Sequence, residues 1–123
     1  MFVTVPALQA FWSWVDEVNE HQRRYSRRRL GAVAAARGFR VLDARYFMFL
    51  LSPAYLLSRL HRPPPLDKLS REETWQLVER LHRMPAAPVN ALLHALFWCE
   101  TPLGHYCRFP WGTSLLGVLQ KPV

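Results

Sequence analysis

Residues 26–46, SRRRLGAVAAARGFRVLDARY, carry a helix start, a helix stop and a strand in one run. Ser26 suits an N-cap, because its hydroxyl can accept one of the free N–H groups of a first helical turn. Leu30, Val33 and Ala34 then recur at helical spacing as far as Arg37. Gly38 follows where a left-handed residue commonly ends a helix. Phe39 to Tyr46, FRVLDARY, reads as a strand. Arg27, Arg28 and Arg29 fall in the first turn, where each opposes the helix dipole by about 0.3–1 kcal/mol at low salt. Either a nearby anion or plain solvation offsets them.

Upstream, Phe2 to Val5, FVTV, is β-branched and aromatic and stops at Pro6. Strand, helix and strand in that order describe a βαβ unit of about minimum length. The first strand is expected to be buried on both faces of a parallel sheet, and a chain opening on such a strand reads as a cut through a larger domain. Between this strand and the helix lies Trp12 to Tyr25, WSWVDEVNEHQRRY, which packs an acid, a histidine, two adjacent arginines and three aromatic rings into one connection.

Downstream, the uncharged run YFMFLLSPAYLLS, residues 46–58, falls short of the roughly 20 apolar residues a membrane-spanning helix needs. It suggests a helix over 47–60, facing a substrate or a membrane surface, with Arg59, His61 and Arg62 at its end to meet phosphates. Pro53 interrupts that run or starts a turn in it, and Pro63, Pro64 and Pro65 end it. Ser70 and Glu73 form a capping box ahead of Trp75, Val78 and Leu81, predicting a helix to about His82. Pro85 and Pro88 separate it from a helix over Val89 to Glu100, whose apolar face carries Leu92, Leu93, Leu96 and Phe97. Thr113 to Gln120, TSLLGVLQ, is a terminal strand. The whole, residues 1–123, reads as a single partial α/β domain with a helical insertion at about 47–105.

Half of the residues are hydrophobic, which argues against disorder. Sixteen basic residues, 14 of them arginine, face 9 acids for a net charge of +7. Such a balance suits nucleic acid, an anionic membrane surface or acidic substrates. Only Arg23 to Arg29 is dense enough to act as a patch, and no nucleic-acid recognition motif accompanies it. Cys99 and Cys107 read as reduced and partly buried, in a cytoplasmic chain that is at most peripheral to a membrane. His94, Cys99, His105 and Cys107 lack metal-ligand spacing, so no metal site is expected. No G-x-S-x-G turn supports a Ser-His-Asp hydrolase.

Taken in order, VTVPA, the segment W-S-x-x-D, H-x-R-R-Y-S, the helix ending AARGF, and the closing SLL-x-V-x-x-KP resemble the C-terminal half of a class I S-adenosylmethionine-dependent methyltransferase. The pattern is similar to a bacterial subgroup of the type 11 and type 12 methyltransferase domains. It spans essentially the whole chain. The resemblance implies an incomplete Rossmann-like methyltransferase fold. Phe2 to Val5 would be strand five, Ser26 to Arg37 the next helix, Phe39 to Tyr46 strand six, and Thr113 to Gln120 an antiparallel strand seven inserted between them. The helices between 47 and 105 would form a variable substrate cap.

S-adenosylmethionine is the cofactor implied, yet none of Gly31, Gly38, Gly104, Gly112 and Gly117 forms the glycine-rich turn that would hold it. No cofactor-binding residue carries over, and the chain is not expected to bind the methyl donor alone. In an open α/β sheet the ligand crevice lies beyond the carboxyl ends of the strands, which places Trp12 to Tyr25 beside a substrate. Asp16 or His21 is then a candidate general base, and Trp12, Arg23, Arg24 and Tyr25 are candidate substrate contacts. The plainer alternative is that Asp16 pairs with Arg24 or caps a turn, His21 is a satisfied half-buried histidine, and Trp12, Trp14 and Tyr25 are core or crevice wall.

The leading reading is the substrate-side half of a methyltransferase. Its partner would be an upstream cofactor-binding half in cis or in trans, or a second copy through self-association. The alternative is a non-enzymatic module that binds an anionic membrane surface or a partner protein.

Overall fold

Alternation along the last strand decides where the core forms. In the computed structural model, which describes residues 1–58, 60 and 68–122, Leu115, Gly117 and Leu119 are buried and the residues between them are half-buried. The elements are β1 (Phe2–Pro6), a 3-10 turn (Gln9–Phe11), α1 (Trp14–Val18), α2 (Arg27–Ala36), β2 (Arg40–Phe47), α3 (Ser52–Ser58), α4 (Arg71–His82), α5 (Ala87–Tyr106) and β3 (Ser114–Gln120). The protein is mixed α/β, and its sheet has the order β1-β3-β2 with β3 antiparallel to both neighbours. β1 and β2 therefore run in the same direction on either side of the last strand, the arrangement expected for the three strands.

The helix at 27–36 forms as its caps predict. Ser26 accepts the Arg29 N–H, and Gly38 adopts φ 73° after its end. Leu30 and Ala34 are its buried residues, and Leu30 packs with Tyr46 and Leu115 of the sheet. Leu30, Tyr46, Leu115 and Ala7 form the core, with Val3, Val5 and Ala44 packed around it. Gly117 lets α2 approach, because a Cβ there would stand 2.8 Å from Leu30 Cδ2.

Several expectations are corrected. β1 is not buried on both faces of a parallel sheet: it pairs with β3 alone among the described residues, antiparallel, and Phe2 is 77 % exposed. The helix expected over 47–60 begins only at Ser52, because Phe47 still belongs to β2 and Met48 turns the chain at φ 60°. Pro53 sits in the first turn of α3, where its missing N–H costs no helical bond. The helix expected over Val89 to Glu100 is longer, because Pro88 occupies its first turn and Pro102 is accommodated within it. Cys99 and Cys107 are free, as expected, but exposed rather than partly buried. The capping box at Ser70 and Glu73 is formed, and α4 follows it. Arg59, His61, Arg62 and Pro63 to Pro65 lie outside the described residues.

α3, α4 and α5 all fall between β2 and β3 in the chain. α5 is tied to the sheet by two devices. Glu100, buried, accepts the Phe49 and Leu50 N–H groups at 2.9 Å each, and Arg45 Nη1 donates to the Gly104 carbonyl at 2.9 Å. Trp75 on α4 and Leu92 and Trp98 on α5 are exposed.

Candidate functional site

The connection from β1 to α2 is closed at its neck by backbone. Tyr25 N–H donates to the Pro6 carbonyl at 2.8 Å and Leu8 N–H to the Tyr25 carbonyl at 2.9 Å. Residues 8–24 therefore leave and re-enter the fold side by side, at the carboxyl end of β1. Leu8 and Glu20 within the loop, and Met48 at the end of β2, all have φ between 54° and 60°. Non-glycine residues rarely adopt that region, and where they do, the surrounding structure must hold them there.

Arg24 ties the loop to the rest of the fold. Its Nε donates to Asp16 Oδ1 at 2.9 Å and its Nη2 to Asp16 Oδ2 at 3.0 Å and to the Tyr55 hydroxyl at 2.7 Å. Its Nη1 donates to the carbonyls of Ala7 at 3.1 Å and Thr113 at 3.3 Å. A guanidinium has five N–H donors, and all five are used. One side chain thus joins the loop, the end of β1, the start of β3 and α3. Burial is the reason the set must be complete: Arg24 is 6 % and Asp16 1 % exposed, and an unmatched buried charge is strongly unfavourable.

Asp16 also accepts the Ser13 N–H at 2.8 Å, in the first turn of α1. Burial opposes its ionisation, but hydrogen bonds from Arg24, the Ser13 backbone and His21, with the charge of Arg24, outweigh that and hold its carboxyl below the usual value. A group depressed in the folded state contributes stability above its unfolded pKa of about 3.8 and loses it as pH falls through the lower folded value. Urea unfolding is therefore expected to show a loss of stability below about pH 4 that is smaller in Asp16→Asn; equal acid dependence in the two proteins would refute the assignment.

His21 completes the cluster. Its Nδ1 lies 3.1 Å from Asp16 Oδ1, and the side chain is 40 % exposed. An ionised carboxylate only accepts, so Nδ1 carries a proton here, and in the neutral ring Nε2 is the nitrogen with the lone pair. Asp16 thereby fixes both the tautomer and the ring orientation. Beside it opens a cavity of about 490 Å³, whose lining includes His21, Tyr55, Met48, Thr113, Ser114 and Pro6. Pro6, Met48, Thr113 and Ser114 come from the carboxyl ends of β1 and β2 and the amino end of β3, where an α/β sheet offers its ligand crevice, while His21 comes from the loop and Tyr55 from α3.

The candidate residues separate accordingly. Asp16, His21 and Arg24 meet at the cavity. Arg24 is corrected from substrate contact to internal clamp, since every donor is spent on the protein. Tyr25 is half-buried: its backbone closes the neck and its side chain packs against the core cluster, as in the plainer alternative. Trp12 is half-buried and Arg23 exposed, and neither is among the lining residues.

The basic run also divides. Arg27 folds over the Tyr46 ring at 4.4 Å and donates to the Phe109 carbonyl, while Arg28 and Arg29 stay exposed. Tyr55 and Met48 belong to the site although they sit in an apolar run with no polar pattern around them. The hydroxyl of Tyr55, the lone phenol between Phe47 and Ser58, was the available signal.

The chain matches no protein-family model, no curated protein and no solved structure. Among the described residues, no helix is long and apolar enough to cross a membrane.

Proposed function

We propose that this chain supplies the acceptor side of an S-adenosylmethionine-dependent methyltransferase, with His21 as the base that receives the acceptor's proton. The observation that carries this reading is the Asp16–His21 pair at the mouth of a cavity beyond the carboxyl ends of β1 and β2. The resemblance of VTVPA, W-S-x-x-D and H-x-R-R-Y-S to that family supports it, as does a last strand lying antiparallel between two strands of like direction.

A hydroxyl or amine acceptor seated in the cavity would pass its proton to His21 Nε2 as it becomes nucleophilic. Asp16 would then face an imidazolium and stabilise it, while Arg24 keeps Asp16 ionised and in place. The chain's own residues do not fit the methyl donor. Gly31 and Gly104 lie within α2 and α5, Gly38 follows a helix end, Gly117 lies in β3, and Gly112 is packed against Phe47. None makes a strand-to-helix turn, which supports a reading in which a second, cofactor-binding portion holds the donor.

Isothermal titration of the chain alone with S-adenosylmethionine is expected to give no heat of binding, and micromolar affinity would overturn the division of labour. The chain captured from its native cells together with its partner is expected to transfer a labelled methyl group. His21→Ala should lower that rate about 10²–10⁴-fold, the usual contribution of a positioned base. Transfer at the unaltered rate by His21→Ala would remove the base assignment.

A further inference from the structure

A second cavity, of about 510 Å³, lies where the sheet face turned away from α2 meets the second half of α5. Leu116 and Val118 line it, and they alternate along β3 with Leu115, Gly117 and Leu119, the buried residues on the α2 side. Phe47, Phe97 and Phe109 add aromatic surface.

Asp43, Arg45 and Glu100 in this cavity bond one another or backbone, and His105 is the other titratable side chain in its lining. Arg45 Nε donates to Asp43 Oδ2 at 2.6 Å and its Nη1 to the Gly104 carbonyl, and both Glu100 oxygens accept backbone N–H groups. What remains facing a ligand is largely hydrocarbon. The same bonds anchor α5 over the sheet, so the walls are held in place before any ligand arrives.

Thr4 and Phe47 line both this cavity and the one beside His21. The two spaces are therefore neighbours along one sheet face, one apolar and the other ending at the Asp16–His21 pair. Each lies within the roughly 300–1,000 Å³ usual for small-molecule sites. We infer that they form one groove for an amphipathic small molecule, its hydrocarbon tail on Leu116, Val118 and Phe97 and its polar head at His21. The inference rests on the acceptor-site reading only for what happens at the head; seating of the tail stands on the groove alone.

The test uses 1-decanol as probe, with 1-butanol as the short-chain control, and follows the methyl resonances of Leu116 and Val118 and the ring resonances of His21 in the full chain. With 1-decanol both sets are expected to shift in a saturable way, and 1-butanol at the same concentration should move neither appreciably. Thr101→Trp, on the exposed side of α5, brings an indole to the groove and should weaken 1-decanol binding at least about tenfold. Gly104→Leu is the second blocking variant, because a Cβ there meets only Phe109, at 3.5 Å.

His21→Ala should change tail affinity less than about threefold, since the head contributes a single contact to binding. Loss of methyl transfer without loss of 1-decanol binding in that variant therefore separates the base reading from the groove. Absence of saturable shifts, shifts that centre on Leu92 and Trp98 instead, or blocking variants that bind 1-decanol as well as the original chain would each overturn the groove.

Discussion

Arg24→Ala is expected to cost about 3–5 kcal/mol of folding stability, the penalty for leaving a buried partner charge uncompensated. The change removes the cation facing Asp16, which is 1 % exposed and would keep only the Ser13 and His21 bonds, takes a donor from the Ala7 carbonyl, and leaves the Thr113 carbonyl with the Ala7 N–H alone. A small domain has only about 5–15 kcal/mol in total, so most of the folded margin is at stake. Arg24→Lys should recover little, because an ammonium has three donors and no planar fork to span Asp16, Tyr55 and two carbonyls. Urea unfolding monitored by tryptophan fluorescence and circular dichroism measures the loss. A midpoint for Arg24→Ala within about 1 kcal/mol of the original chain would contradict the clamp. The double variant Asp16→Asn with Arg24→Ala should lose less than the two single losses combined, since each single change leaves the other group unpaired.

Gly112→Ala should have the next largest effect. A Cβ on Gly112 would stand 2.2 Å from the Phe47 carbonyl oxygen and 3.0 Å from the Phe47 backbone nitrogen. The obstacle is backbone at the end of β2, which cannot rotate aside as a side chain would, so the two strand ends must part. Overpacking of this kind costs about 1–3 kcal/mol, and more where backbone must move. The neighbour Thr113 carries the carbonyl that Ala7 and Arg24 share, so the displacement should reach the Asp16–His21 pair. Gly31→Ala is the internal control. It has open space around its Cβ position inside α2, and alanine should stabilise the helix by about 0.5–1 kcal/mol. Thermal unfolding of the two variants is expected to shift in opposite directions, and a Gly112→Ala protein as stable as the original would refute the contact.

Local signals foretold what local physics decides. The cap at Ser26, the stop at Gly38, the capping box at Ser70 and Glu73, and the β-branched and leucine-rich strands are each properties of a few neighbouring residues. Where local reading failed, a distant group had intervened. The helix expected from residue 47 starts at Ser52 because the Glu100 carboxylate, half the chain away, gathers the N–H groups of Phe49 and Leu50 into a turn. The helix expected to stop at Glu100 continues to Tyr106, as a single proline was not enough to end it.

The crowded segment Trp12 to Tyr25 shows the same division. Its residue types make it the densest polar and aromatic connection of the chain, and an Asp16–Arg24 pairing is one of the three readings they leave open for Asp16. Which arginine turns inward depended on the carbonyls of Ala7 and Thr113 and the hydroxyl of Tyr55, brought together from three parts of the chain.

The sequence by itself thus determined α2, α4, the three strands and the composition of the loop, because capping, side-chain alternation and backbone preference act over a few residues. Only the tertiary structure decided that Asp16 bonds both His21 and Arg24, that Arg24 turns inward to the fold, and that an apolar cavity lies nearby. Those outcomes depend on satisfying buried charge with partners from β1, α3 and β3, and no short stretch of sequence contains such a set.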